Sequence, residues 1–419
     1  MSTHPADSTV LGDLFGTPEM RALFADRQRL QDMLDVEAAL ARAEAAVGLV
    51  PAEAALAITR AARVERLDLE AIRASTARVG YPVVGLVAAL ARAAGPAAGR
   101  WVHWGATTQD ILDTATMLEV RAGLRLVERD LLRTLEGLAR LADRYRTTPM
   151  AGRTHLQHAL PITFGYKCAL WMQPLLAALD RVRELLARVP VVQFGGAVGT
   201  LAALGDKGEA VVAGLARELG LGVPPAPWHV DRTRLAEVVC TLGLLCGGLA
   251  KMATDVALLA QTEVAEVAEP HEAGRGGSST MPQKRNPIAS EYLLAAARGV
   301  HAVVPLMLAA LAQDHERATG PWQSEALALP QAFVLTAGAL AHAVTLAEGL
   351  VVDPAQMRRN LERTGGLVMA EAAMMALAER IGREEAHHLV EAACERARAA
   401  GRPLADALLE EPRVAAAFG

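Results

Sequence analysis

The stretch Tyr292–Ala312 reads YLLAAARGVHAVVPLMLAALA, apolar almost all round a helix. Its length approaches that of a membrane span. Arg298, His301 and Pro305 fall in the middle of it, however, and a bilayer penalises a charge and an imidazole there. A soluble helix with so little polar surface must be wrapped by other protein. Ala236–Ala250, AEVVCTLGLLCGGLA, reads in the same way. Two such helices in one chain point to a helix bundle whose faces are buried further by self-association.

Composition agrees with this reading. The chain has 419 residues and is 52% hydrophobic, enough for a large core and two or three domains. Aromatic residues make up only 4%, and Ala, Leu, Arg and Glu, all good helix formers, fill the space. The net charge of -5 gives no electrostatic case for nucleic acid or an anionic membrane as partner. Cys168, Cys240, Cys246 and Cys394 form no CxxC pair, so neither a disulfide framework nor a zinc site is expected. That usage fits a reducing compartment, and the opening MSTHPADSTV lacks the basic patch and apolar run of a signal peptide. A cytoplasmic protein is the expectation.

Helical periodicity dominates from Leu30 onward, and strand alternation is almost absent. One helix is predicted over Arg29–Val47, stopped by Gly48 and Pro51. Helices from Ala52 to Ala94 are punctuated at Val79-Gly80-Tyr81-Pro82, and Gly95–Gly99 reads as a loop. A polar knot, His103–Asp110, opens a long helix to about Tyr145. Thr148–His155 breaks the run, and helix resumes over Ile162–Val189 and again over Arg232–Glu269. After Asp353-Pro354 a smaller helical region runs to the C-terminus.

The polar breaks carry the chemistry, as loops on rigid scaffolds usually do. Gly274-Arg275-Gly276-Gly277 lets backbone N–H groups approach an anion closely. Ser278 and Ser279 follow at once, then Lys284 and Asn286 between Pro282 and Pro287. One loop thus joins hydroxyl, cation and amide. Thr107, Thr108, Gln109 and Asp110 offer hydroxyls and an amide before a helix, as ligand donors or as a helix cap. Arg153-Thr154-His155-Leu156-Gln157-His158 places two histidines three apart. No acid or cysteine stands near them in sequence, so metal is not expected.

Taken together, these segments resemble the fumarase/aspartase superfamily. Gly277–Pro287 is similar to its GSSxMPxKxNP signature without a gap, and Thr107–Asp110 and Gly152–Gln157 resemble its two upstream conserved regions in order. Within the superfamily the chain is most similar to the branch of 3-carboxy-cis,cis-muconate cycloisomerases and adenylosuccinate lyases. The phrases Gln193–Gly196, His315–Arg317 and Asn360–Leu367 lean to the cycloisomerase side. The resemblance implies an all-α fold of three helical domains: an N-terminal domain over 1–110, a central long-helix bundle over 111–350 and a C-terminal domain over 351–419, the last expected to lack a final helix. It implies a homotetramer with a shared helical core, active sites built from three subunits, a small polycarboxylate substrate and no cofactor or metal.

It also implies a mechanism. Ser278 is the expected base, removing a proton beside a carboxylate with Lys284 and loop N–H groups stabilising its oxyanion. His155 oriented by Glu291 is the expected acid–base unit. Thr107, Thr108, Gln109, Thr154, Ser279 and Asn286 would bind carboxylates, with Arg232, Arg234 and Arg317 as further cations. Two substrate readings compete. The family pattern of the cycloisomerases usually lacks both this His and this Glu, which favours β-elimination on a substituted succinate, releasing fumarate. The overall likeness favours lactonisation of 3-carboxymuconate. A nucleotide substrate is disfavoured, because Trp322 to Ala326 replace the hydroxyl and guanidinium with which adenylosuccinate lyases hold phosphate. A retired, non-catalytic scaffold is the third reading, opposed by the intact Ser278, Lys284 and His155.

Overall fold

The computed structural model describes residues 4–270, 276–277, 281, 283–317 and 319–418. The chain partitions into two compact units, each gathered from three stretches. The first comprises Met1–Arg133, Leu175–Ala250 and Tyr292–His342; the second comprises Thr134–Pro174, Lys251–Glu291 and Ala343–Gly419.

In the first unit, α1 (Asp26–Ala46) buries Leu34, Val36 and Leu40 together with a run of alanines, whose small side chains let neighbouring helices approach. It ends where Gly48 takes φ 72 and the Leu49 N–H reaches back 2.9 Å to the Glu44 carbonyl. Helices α2 (Leu69–Val79) and α3 (Pro82–Ala94) follow. Asp68 caps α2 by accepting the Ala71 N–H at 3.1 Å. Pro82 opens α3, where a missing N–H costs nothing. The expected loop at Gly95–Gly99 is corrected: Pro96–Gly99 form one helical turn. Gly95 at φ 84 turns the chain, and Pro96 is preset for a first helical position. Helix α4 (Thr108–Arg144) then begins at the polar knot.

The second unit holds a feature that the sequence reading missed. Strands β1 (Pro149–Thr154) and β2 (Gln157–Thr163) form an antiparallel hairpin in which Thr154 pairs with Gln157. The turn is therefore His155-Leu156 alone, with φ 50 and 64. Two-residue hairpin turns need such left-handed values and are usually marked by Asn-Gly. Here neither marker is present. Gly152, Pro161 and a register shift between Ala151 and Arg153 also blur the alternation.

Beyond the hairpin come α5 (Phe164–Arg188), α6 (Thr233–Leu259), β3 (Val267–Ala268), α7 (Ile288–Ala309), α8 (Pro321–Gly349), β4 (Val351–Val352) and α9 (Pro354–Glu362). The short strands β3 and β4 pair antiparallel, and with the hairpin they are the only sheets among the described residues, so the fold is all-α. The final helices of the second unit pack around Leu377, Ala386 and Val390, and around Ala393, Ala397 and Leu404.

Helices α6, α7 and α8 are long and apolar enough to cross a bilayer by length and composition. In the folded chain 67% of the most apolar window of α6 and 78% of that of α8 are buried, but only 33% of that of α7. The Ala236–Ala250 stretch is thus wrapped by its own chain as expected, whereas Tyr292–Ala312 is covered only in part.

Candidate active site

In the first unit the Thr107-Thr108 segment is built around a buried carboxylate. Asp110, the third residue of α4, accepts the Thr107 N–H at 3.0 Å, which is half of a capping box. It also accepts the N–H groups of Gly195 and Gly196 at 3.0 and 2.9 Å, and lies 2.7 Å from His229 Nε2. One fully buried carboxylate therefore ties the start of α4 to the Gly195-Gly196 turn. Gly196 stands at φ 73, and a Cβ there would sit 3.1 Å from the Gly105 carbonyl, so the two loops touch through backbone. From the other side Arg317 donates to the Ala197 carbonyl at 2.8 Å. Thr107, Thr108 and Arg317 accordingly gather around one turn, with the two threonines half-buried.

Gln109 turns inward. It is 1% exposed, and its amide donates both protons internally, to Asp113 at 3.1 Å and to the His229 carbonyl at 2.9 Å. The oxygen left without a partner is an acceptor and repels a carboxylate. In this arrangement Gln109 braces the site and has no donor to offer a substrate. Arg232 is likewise structural. It is clamped by two bonds to Asp113 and two to Glu325, and it stacks over Trp228 at 4.9 Å. Arg234, in the first turn of α6, is half-buried and donates only weakly to the Arg188 carbonyl at 3.3 Å.

The second unit presents Thr154 and His155 at the exposed tip of the hairpin. Behind the tip, Arg153 makes a bidentate pair with the buried Glu266 at 2.7 and 3.0 Å. Asn360 donates to the same carboxylate at 2.9 Å and to the Val264 carbonyl at 2.7 Å. The tip is thus exposed but its base is anchored. His158, on β2, is held below the ordinary imidazole range first by burial and then by the nearby Arg153 charge.

The signature segment is closed at its neck. Gly277 pairs with Arg285, and the Asn286 N–H donates to the Gly276 carbonyl at 2.9 Å. Gly276 sits at φ 68 with Asn286 O 2.8 Å from where a Cβ would be, so only glycine fits. Lys284 is exposed and Asn286 half-buried. Ser278 and Ser279 lie outside the described residues. Past the neck, Glu269 accepts the N–H groups of Ala289 and Ser290 at 2.9 and 2.8 Å and the Ser290 hydroxyl at 2.8 Å, fixing the start of α7. Glu291, on that first turn, is exposed, and no hydrogen bond joins it to His155 among the described residues.

His229, Glu266 and Glu269 were therefore supporting groups that sequence reasoning missed, and Asp110, read there only as a donor or helix cap, braces far more than the helix start. The Thr-x-x-Asp spacing of a capping box marks Asp110. The alternation Glu266-Val267-Ala268-Glu269 before a proline marks the other two carboxylates.

The family described as Lyase matches residues 15–302, and the adenylosuccinate lyase C-terminus matches residues 366–418. The chain is 52% identical over 419 residues to a 3-carboxy-cis,cis-muconate cycloisomerase of Pseudomonas aeruginosa, covering 99% of this chain and 91% of that protein. It is 39% identical over 415 residues to an N-acetyl-S-(2-succino)cysteine lyase of Enterococcus italicus, covering 99% and 91%. The crystal structure of a fumarate lyase from Mesorhizobium sp. BNC1 superimposes with a TM-score of 0.91 at 46% identity, covering 97% of this chain and 92% of that one.

Proposed function

Given that this chain belongs to the fumarase/aspartase superfamily of lyases and is an enzyme of that kind, we propose that it cleaves a substituted succinate to fumarate by β-elimination. The observation that carries the proposal is His155. Its backbone is held in the left-handed region, its side chain stands at an exposed tip with no hydrogen bond to any described residue, and the Arg153–Glu266 pair anchors the base beneath it. A fold that needed only packing at this point would not keep an imidazole in a strained turn.

In the proposed reaction Ser278 takes the proton from the carbon beside one carboxylate. The electron pair moves into that carboxylate as an aci-carboxylate, then returns to form the double bond. The bond from the β-carbon to the leaving heteroatom breaks, and that atom receives a proton from the His155 imidazolium. Lys284 and the backbone N–H groups of the Gly276-Gly277 neck stabilise the charge on the Ser278 oxygen and on the carboxylate. Thr107, Thr108, Thr154, Ser279, Asn286, Arg234 and Arg317 hold the carboxylates, while Glu291 orients His155. We propose further that the enzyme is a homotetramer in which different subunits supply Thr107, His155 and Ser278. Among the described residues of one chain no hydrogen bond joins His155 to Glu291, and only 33% of the most apolar window of α7 is buried, which supports that reading.

The test is a substrate panel of N-, O- and S-substituted succinates, following the rise in ultraviolet absorbance of fumarate. Turnover of one or more of them is the expected result. A second reading, lactonisation of 3-carboxy-cis,cis-muconate, is favoured by the 52% identity to the Pseudomonas aeruginosa cycloisomerase. Loss of muconate absorbance with no succinate derivative cleaved would establish the second reading over the first.

A further inference from the structure

The first unit contains a cavity of about 730 Å³ that no step above uses. Leu30, Met33, Leu69, Ile72, Leu112 and Leu329 make its lining largely apolar. Tyr81 and Trp322 close one side as a stacked pair, with ring centroids 5.9 Å apart and planes 22° from parallel. Glu119 of α4 stands in the wall at 2% exposure. Its Oε1 accepts from Arg29 Nε at 3.1 Å, but its Oε2 is buried with no hydrogen-bond partner among the described residues. A buried carboxylate oxygen without a donor is costly, and the cavity beside it is where a donor can come from.

The sign of the wall says which donor. Asp26, Glu70, Asp113, Glu119 and Glu325 face it, against Arg29 and Arg73. Arg73 is engaged with Glu70, and Arg232 behind the wall is engaged with Asp113 and Glu325. Asp26 is exposed to water, so Glu119 is the buried acid with an open oxygen, and two aromatic faces add a further attraction for a positive charge. We propose that this cavity is a binding site for a small organic cation, a protonated amine carried on an apolar or aromatic body, with the ammonium donating to Glu119 Oε2 and the body packed by Tyr81 and Trp322. Burial, aided by neighbouring Asp32 and opposed by Arg29, pushes the Glu119 carboxyl up to about 7, so the site is charged above that pH.

The site is tested by titration calorimetry of the full-length protein at pH 8, so it stands apart from any turnover assay. The probes are 2-phenylethylamine, its neutral counterpart 2-phenylethanol and the anionic 3-phenylpropionate. The amine is expected to bind saturably, one per chain, and about tenfold or more tighter than either counterpart. Glu119→Gln is expected to erase that preference. Ala77→Trp, at an exposed position on the cavity rim, keeps every buried charge and is expected to abolish binding at an unchanged melting temperature. If the amine gives no saturable binding, if the acid binds as tightly, or if a folded Ala77→Trp protein still binds, the assignment is overturned.

Discussion

His155 combines two demands at one position, and a substitution series can separate them. Its φ of 50 lies where an L-residue suffers about 1–2 kcal/mol of steric cost, a cost that Asn tolerates and Gly escapes. The tip is exposed, so truncating the side chain removes little packing. His155→Asn should therefore leave stability within about 0.5 kcal/mol of the parent, and His155→Gly should match or slightly exceed it. The chemistry should behave differently. A positioned general acid contributes on the order of 10²–10⁴ in rate, so both variants should lose about that factor in kcat while KM changes little. The assay is fumarate release on the best succinate substrate, beside a thermal melt of each variant. A substrate with a good leaving group, needing no proton, should recover much of the loss. If His155→Asn turns over at the parental rate on a poor leaving group, the imidazole is not the acid, and the elimination mechanism drawn from it fails.

Arg153→Lys should weaken the hairpin anchor, since a lysine cannot make both bonds to the buried Glu266; about 2 kcal/mol of stability and a raised KM are expected from chemical melts and steady-state kinetics. Glu44 on α1 is fully buried with neither oxygen hydrogen-bonded, and burial followed by the Glu37 charge pushes it up to about 9 from the ordinary 4.5. Because the folded state holds this proton more tightly, its contribution to stability is full below pH 4.5 and is lost as pH rises toward 9; by pH 7 the loss reaches about 3 kcal/mol at most. Glu44→Met should then be more stable than the parent at pH 8 and show a much smaller advantage at pH 5, and melts giving equal differences at both pH values would contradict this account. Mixing inactive Ser278→Ala and His155→Ala proteins, then unfolding and refolding them together, should restore activity at about a quarter of the sites, because random assembly leaves some sites with neither lesion. Continued inactivity in well-refolded tetramers would remove the proposal that sites are shared between chains.

The helices were legible because their signals are local. Asp68, Pro82 and Gly48 cap, open and stop helices by backbone physics that depends on a few neighbours. The hairpin was not legible because its turn breaks the local rule: His155 and Leu156 take left-handed conformations that the sequence ordinarily signals with Asn or Gly. Such a violation is stable only where tertiary contacts over-determine it, and those contacts join residues far apart in the chain. Arg153 meets Glu266, and Glu266 meets Asn360. No window of sequence contains all three.

The same distinction explains why the candidate site could be half read. Its reactive types, Ser278, Lys284, His155 and the threonines, sit in contiguous motifs that advertise themselves by composition. Whether a polar residue faces the substrate or the interior is decided by partners at a distance. Gln109 and Thr108 are adjacent, yet Gln109 is spent on Asp113 and the His229 carbonyl while Thr108 stays half-buried. Asp110 shows what drives the sorting. A buried carboxylate needs several donors, and it obtains them by drawing the Gly195-Gly196 turn and His229 onto the start of α4. Once Asp110 is inside, the helix turns Gln109 inside with it and leaves Thr107 and Thr108 at the rim. One buried charge thus fixes which members of a four-residue motif can reach a substrate, and that choice follows from the solvation of Asp110 rather than from the chemistry of its neighbours.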